Sequence, residues 1–418
     1  MSAATLASPL LPPEDDKTYL RNLTLEILAQ ARVAPGTNGP PGWKIKNTVG
    51  FPLVTPGRTG YPAFWIRDFS MATDSGLVPT EEIRNHLRLV AQVQTGQESR
   101  KLQSGSTLPP FAIPDHINFD GSPVFFPGTY SPGEDQGGEQ WGLRPPFDDH
   151  YEFVHLAYIL AKQSGSKGFL NEEINGILLK TRLEKAFECP EFDPKTELAR
   201  TTAATRGVGF GFCDSIVHTG NLLYASLLRL RSARELAELT KIDKYKSIAK
   251  TIQSNLKTFH EEQSGWLLAA TEIGKQPDVW GTLYALHLNA LDQETAKKAR
   301  QTIVEAYKQG TIELEGAVRH VPTDRDYSPD SAWEKAYEPK GYYQNGAYWH
   351  TPTGWLIECL VHEDKTLAKK TQEAYIKHLK GDRQAPWECF NPAKNYKQNG
   401  GYLTSVALPY ATLKTLKL

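Results

Sequence analysis

Glu388 stands between two aromatic residues in Pro386-Trp-Glu-Cys-Phe390, and a polar, Gly-bounded stretch to Tyr402 leads from it into an apolar run at the end of the chain. A carboxylate flanked by Trp387 and Phe390 suits a site that holds a polar, ring-shaped molecule; a surface Glu on a loop is the plainer alternative. A second carboxylate, Asp214, lies in Gly209-Phe-Gly-Phe-Cys-Asp-Ser215, ahead of a long amphipathic pattern. As a helix N-cap it would accept backbone N–H bonds at the positive helix end. As a general acid it would need burial among rings such as Phe210 and Phe212 to raise its pKa. These roles oppose each other, because a helix N-terminus lowers the pKa that burial raises.

Three further stretches mix polar and aromatic side chains. In Phe64-Trp-Ile-Arg-Asp68, Trp65 offers a face for a sugar ring, Asp68 can accept from hydroxyls and Arg67 can pair with it; a surface ion pair of little value is the alternative. Asp148, Asp149, His150 and Glu152 form an acidic cluster at a predicted helix start, where capping explains one carboxylate without any ligand. No second ligand pair at helical i, i+4 spacing supports a metal site there. The densest mixture is Tyr342-Tyr-Gln-Asn-Gly-Ala-Tyr-Trp-His-Thr-Pro-Thr-Gly-Trp355. A packed core would want fewer polar groups, so Gln344, Asn345, Trp349, His350 and Trp355 are read as a binding wall. With Trp65, Arg67, Asp68, Asp149, Trp280 and Trp387 they make up the candidate binding set. The chain has no GxSxG elbow, no Walker loop and no dinucleotide fingerprint.

Bulk properties narrow the field. The composition, 39% hydrophobic and 23% charged, is that of a globular protein, and nine Trp and eighteen Tyr are enough to line a cleft as well as a core. A net charge of −1 favours neither nucleic acid nor an anionic membrane as partner. No apolar run of roughly eighteen residues is present to cross a bilayer. Cys189, Cys213, Cys359 and Cys389 lie far apart without a CxxC pair, which argues against zinc and a disulfide framework. Met1–Pro13 lacks the basic region of a secretory leader, so a cytoplasmic setting with reduced thiols is expected. No cofactor is implied.

The elements that must position these residues are helical. Residues 1–15 are expected to be a loose tail, and 16–418 one domain. Apolar residues at three- and four-residue spacing predict a helix from Asp16, another over 80–94 with Thr80 as N-cap, and further helices near 149–164, 170–187, 215–238, 241–260, 278–290, 293–308, 348–361, 364–379 and 401–416. The segment after Asp68 can supply a twelfth, and 43–55 reads as a short hairpin. Segments 96–147 and 309–346 are long and Gly/Pro-punctuated; aromatic residues in the first mark it as an ordered loop over one end of the fold. The helices come as pairs with short connections. Five helix starts, at 64–68, 146–149, 210–214, 277–280 and 348–355, carry aromatic, Gly or acidic residues. A closed double ring, six helices inside and six outside, would bring them together at one end around a pocket.

Assembled in order, these stretches resemble the six-hairpin glycosidases, trehalases and processing α-glucosidases in particular. Trp349-His-Thr-Pro-Thr-Gly-Trp355 is similar to the trehalase signature W-D-x-P-x-G-W. Gly211-Phe-Cys-Asp-Ser215 is similar to the G-W-D-F-S stretch around the family's general acid, and Glu388-Cys-Phe390 to the E-x-Y stretch of its general base. Phe64-Trp-Ile-Arg-Asp-Phe69 is similar to the aromatic-Asp segment that binds sugar at the cleavage site. The chain departs from these patterns at His350, where the signature has Asp, and at Cys213, where the acid's stretch has Trp. The resemblance implies an all-α (α/α)6 toroid with long loops at one end, and hydrolysis of a small carbohydrate with inversion. Asp214 would be the acid and Glu388 the base, with carboxyl groups about 6.5–9.5 Å apart. It leaves the sugar open. Epimerisation or elimination on the same toroid, with His116, His150, His218 or His350 as bases, and a non-catalytic carbohydrate-binding protein are the alternatives.

Overall fold

The computed structural model describes residues 15–417, and the tail expected over 1–15 falls outside them except for Asp15. Asp15 caps the first helix, its side chain accepting from the backbone N–H of Lys17 and Thr18. Among the described residues twelve α-helices follow in pairs: α1 (Asp16–Ala31) and α2 (Ile66–Thr73), α3 (Thr80–Val93) and α4 (Asp148–Ser164), α5 (Leu179–Glu188) and α6 (Leu223–Thr240). The other three pairs are α7 (Asp243–Asn255) and α8 (Val279–His287), α9 (Gln293–Lys308) and α10 (Thr353–Glu363), α11 (Lys365–Gly381) and α12 (Thr404–Leu413).

The even-numbered helices form a closed inner ring. Each touches the next, α2 to α4 and so on to α12, and α12 returns to α2. The odd-numbered helices lie outside, α1 against α12, α3 against α4, α7 against α6 and α11 against α10. Side-chain patterning explains the division. All eight residues of α2 are buried, as an inner-ring helix requires. Outer α3 buries Ile83, Leu87 and Val90 and leaves Glu81 exposed, and α9 buries Ala299, Ile303 and Ala306 on one stripe. The architecture is therefore the (α/α)6 toroid expected from the pairing of helices.

Several boundaries differ from the expected ones, each for a physical reason. The helix expected from Ser215 begins at Leu223, because 220–221 is drawn into a two-stranded ladder with 200–201. Asp214 is thus no helix N-cap; it follows a single 3-10 turn, Gly211–Cys213. Helix α5 is shorter than 170–187, since a 3-10 turn and a hairpin pairing 173–174 with 177–178 precede it. Thr80 is the first residue of α3, and Pro79 is its N-cap. The 43–55 hairpin is replaced by a pairing of 32–33 with 53–54. The stretch after Pro386 is not a loop: Trp387–Asn391 and Tyr396–Gly400 are strands of an antiparallel five-stranded sheet that also holds 313–314, 317–319 and 348–349. Every residue of 387–391 is buried, so both faces of that strand are covered and no polar/apolar alternation marks it.

Candidate active site

One cavity of about 320 Å³ collects side chains from opposite ends of the sequence. Trp65, Arg67 and Asp68 reach it from the start of α2, Asp214 from the turn ahead of α6, and Glu388 and Tyr402 from the segment ahead of α12. The long segment 96–147 adds Asp115, His116, Tyr130 and Trp141, and the second long segment adds Tyr343. Both loops therefore lie at the end of the toroid where inner helices begin.

Glu388 is held by three donors. Tyr61 Oη donates at 2.9 and 3.1 Å to its two carboxylate oxygens, Asn399 Nδ2 at 2.7 Å and Tyr343 Oη at 3.4 Å. Asn399 and Tyr343 both have left-handed backbone, with φ of 37° and 40°. Such a conformation is costly for a Tyr and collects at functional positions. Gly60 makes room for the Asn399 arm, since a Cβ there would come within 2.3 Å of Asn399 Oδ1. Burial pushes Glu388 up to about 8; the bonds from Tyr61 and Asn399 pull it down, and the charges of Asp68 and Asp214 add to the rise.

Asp214 is fixed by Gln344, whose Nε2 donates to Asp214 Oδ1 at 2.8 Å and to the Gly211 carbonyl at 2.9 Å. Gln344 Oε1 accepts from the Ser215 amide at 2.8 Å. Burial raises Asp214 to about 7; Arg67 opposes the rise, Asp115 adds to it, and the Gln344 bond opposes it. The desolvation that an acid role demands is thus present, and the helix end that would have countered it is absent.

Behind this pair, one guanidinium organises four carboxylates. Arg67 Nη1 contacts Asp115 Oδ1 at 2.7 Å and Asp149 Oδ2 at 3.3 Å, and its Nε lies 3.8 Å from both Asp68 Oδ2 and Asp148 Oδ2. Asp148 also accepts from the Gly211 amide at 2.7 Å. Gly211 is required here, because a Cβ would fall 1.9 Å from Arg67 Nε. Burial alone would raise Asp115, but Arg67 and His116 outweigh it and hold the group at about 2. Asp68 rises to about 6 through burial, against Arg67 and a 2.5 Å bond from Tyr402 Oη.

Trp65 stacks on His116, with ring centroids 4.4 Å apart, and stands beside Tyr61 and Tyr130. His116 Nδ1 lies 2.7 Å from Asp115 Oδ2, and its Nε2 has no partner among the described residues. Trp65 and His116 are therefore an aromatic wall fixed from behind by Asp115.

Of the proposed acid, base and sugar-binding residues, Asp214, Glu388, Trp65, Arg67 and Asp68 line this cavity, as do Phe212 beside the acid and His116 among the alternative bases. The other binding candidates do not. Asp149 lies behind it on Arg67, and Gln344 reaches Asp214 rather than the cavity. Asn345 spends its amide on Ala332 N and the Glu338 carbonyl. Trp280 stacks on His320 and stands edge-on to Trp349, which also packs on Tyr343. Trp355 packs on Tyr284, and His350 lies among Tyr375, His378 and Phe390. Trp387 donates from Nε1 to Asp382 under Lys397. The binding wall expected over 342–355 is mostly core, with Tyr343 as its member in the cavity. Sequence reasoning missed Tyr61, Asp115, Tyr130, Asn399 and Tyr402. Only the left-handed demand at Asn399, beside Gly400 and Gly401, leaves a local trace in the sequence.

No family model and no curated protein matches the chain. Solved structures do share its fold. The mannosylglycerate hydrolase of family GH63 from Thermus thermophilus, in complex with glucose, superposes with a TM-score of 0.59 at 13% identity, over 94% of this chain and 99% of that one. A rhamnosidase from Klebsiella oxytoca with rhamnose bound gives 0.58 at 10% identity, over 97% of this chain and 65% of that one. A sugar epimerase from a ruminal bacterium gives 0.55 at 10% identity, over 96% and 100%. At these identities the likeness is one of fold: the chain shares the (α/α)6 toroid with these structures.

Proposed function

We propose that this chain is a glycoside hydrolase, with residues 16–418 acting as a single catalytic domain. The observation that carries the reading is the convergence of Asp214 and Glu388, from distant parts of the chain, on one cavity lined by aromatic rings. Asp214, raised to about 7, would protonate the leaving oxygen. Glu388, held by Tyr61, Asn399 and Tyr343, would draw a proton from water attacking the other face of the ring. Trp65 would support the ring's C–H face and Asp68 would accept from its hydroxyls. Removal of a terminal sugar is the proposed action, and inversion requires the two carboxyl groups to stand about 6.5–9.5 Å apart, with room for water between the base and the ring. The four cysteines are free, which fits a reducing cytoplasm.

Glycosidase relatives of this fold act on sugars by their names, the hydrolase on mannosylglycerate and the rhamnosidase with rhamnose bound. A base-catalysed epimerisation would draw on histidines. Of the four candidates only His116 lines the cavity; His150 is bonded to Pro146 and Ile113, His218 packs on Trp333 and His350 is in the core. Hydrolysis therefore has the better set of groups. A screen of nitrophenyl glycosides and disaccharides, followed by NMR of the anomer first released, tests the reading. Inverted product, abolished in both Asp214→Asn and Glu388→Gln, is expected. Near-normal turnover in both variants, or a product isomeric with its substrate, would sink it.

A further inference from the structure

We propose that the cavity selects its sugar by charge, taking an uncharged or amine-bearing ring and rejecting one that carries a carboxylate. The inference rests on the reading of this cavity as a sugar site.

The charges around the cavity are unequal. Asp68, Asp115, Asp214 and Glu388 line it, against the single guanidinium of Arg67. Arg67 is not free to receive an anion, because Asp115 and Asp149 contact it directly and Asp68 and Asp148 lie within 3.8 Å. Among the described residues, His116 is the one further group there that can carry positive charge, and its Nδ1 faces Asp115. Cations nearby are committed elsewhere. Arg206 donates to the carbonyls of Glu139, Gln140 and Ile216, and Arg58, between the lining residues Pro56 and Tyr61, to the carbonyls of Arg383 and Gln384. Residues 1–14 contain no Lys, Arg or His to bring in.

A carboxylate entering this space would lose its water and meet four acidic groups, with the His116 imidazole, whose Nδ1 already faces Asp115, set against them. Uncompensated burial of a charge is among the costliest of contacts. A neutral ring loses nothing of this kind: its hydroxyls donate to Asp68 and Glu388, and its C–H face meets Trp65. An ammonium gains, because it compensates charge that the protein already holds. The discrimination should grow with pH, since Asp214 and Glu388 become anionic as pH rises through about 7 and about 8.

Ligand-observed NMR titration of the full chain tests this without turnover. The probes are glucose, glucosamine and glucuronate, with the matching mannose and galactose series. In the series that binds, the uronate should be at least about tenfold weaker than the neutral sugar, and the amino sugar at least as tight as the neutral one. The gap should widen above pH 8 and narrow in Glu388→Gln. A uronate binding as well as its neutral counterpart overturns the proposal, and so does failure of every probe, which removes the sugar site as well. If the charge order holds while no glycoside is cleaved, selection stands and the hydrolase reading falls.

Discussion

Gln344 Nε2 donates to Asp214 Oδ1 at 2.8 Å while Gln344 Oε1 accepts from the Ser215 amide, so one buried amide fixes both the side chain and the backbone of the proposed acid. Gln344→Ala should leave the fold intact yet lower kcat by up to about 100-fold, the scale on which small misplacements of a reacting group are felt. Loss of the bond also removes a contact that favours the ionised acid. Because Asp214 titrates below Glu388, the lower break of the pH–rate profile, near 7, should therefore move to higher pH. Steady-state kinetics across pH checks both effects; a variant with lower stability but an unmoved profile would assign Gln344 a purely structural role.

The two carboxylates predict an inverted order of titration. The productive form has Asp214 protonated and Glu388 ionised, yet burial places Asp214 at about 7 and Glu388 at about 8 in the empty cavity. Below about 7 both groups carry protons and the base is lost; above about 8 both are ionised and the acid is lost. The profile of kcat/KM should be a narrow bell between those values, belonging to the pair rather than to either group. Residual activity in Asp214→Asn should lose the basic limb, and in Glu388→Gln the acidic limb. A broad plateau reaching down to pH 5 would contradict this.

Gly211 lies where the Arg67 guanidinium passes the acid loop, and an added Cβ would sit 1.9 Å from Nε and 2.0 Å from Cζ. Neither group can yield easily, because Arg67 is tied to Asp115 and Asp149 and Gly211 is bonded to Asp148 and Gln344. Gly211→Ala should cost at least about 1–3 kcal/mol, as overpacking does elsewhere. Gly96→Ala meets no neighbour within 4 Å and serves as control. Thermal or urea unfolding of the two variants measures the difference.

The ring of helices was readable because burial follows a period: α9 shows its stripe in the sequence, and short connections force neighbouring helices together. Asp214, Glu388 and Trp65 were readable because their local surroundings already mix charge with aromatic rings. The 342–355 stretch misled for the same reason. Trp349 and Trp355 are as suited to core as to ligand, and Gln344 and Asn345 satisfy buried backbone rather than a substrate. Residues such as Asp115 and Tyr130 carry no signal, since they sit in an aperiodic loop and acquire meaning only when that loop closes against α2 and Glu388. The side chain to which a loop residue is brought depends on the closure of the whole ring, and no local pattern encodes it.

Asn399 separates backbone strain from chemistry at the proposed base. Its φ of 37° is left-handed, and its Nδ2 donates to Glu388 Oε2 at 2.7 Å. Glycine adopts that backbone freely, so Asn399→Gly should hold or raise stability, by up to about 1 kcal/mol. The same substitution removes a donor that favours the ionised carboxylate. Glu388 should then titrate above about 8, and the upper break of the pH profile should move to higher pH as kcat falls. Asn399→Ala keeps the strained backbone and loses the donor, so it should be less stable than Asn399→Gly while showing the same kinetic shift. Equal stabilities for the two would remove the strain argument, and an unshifted profile in both would remove Asn399 from the support of the base.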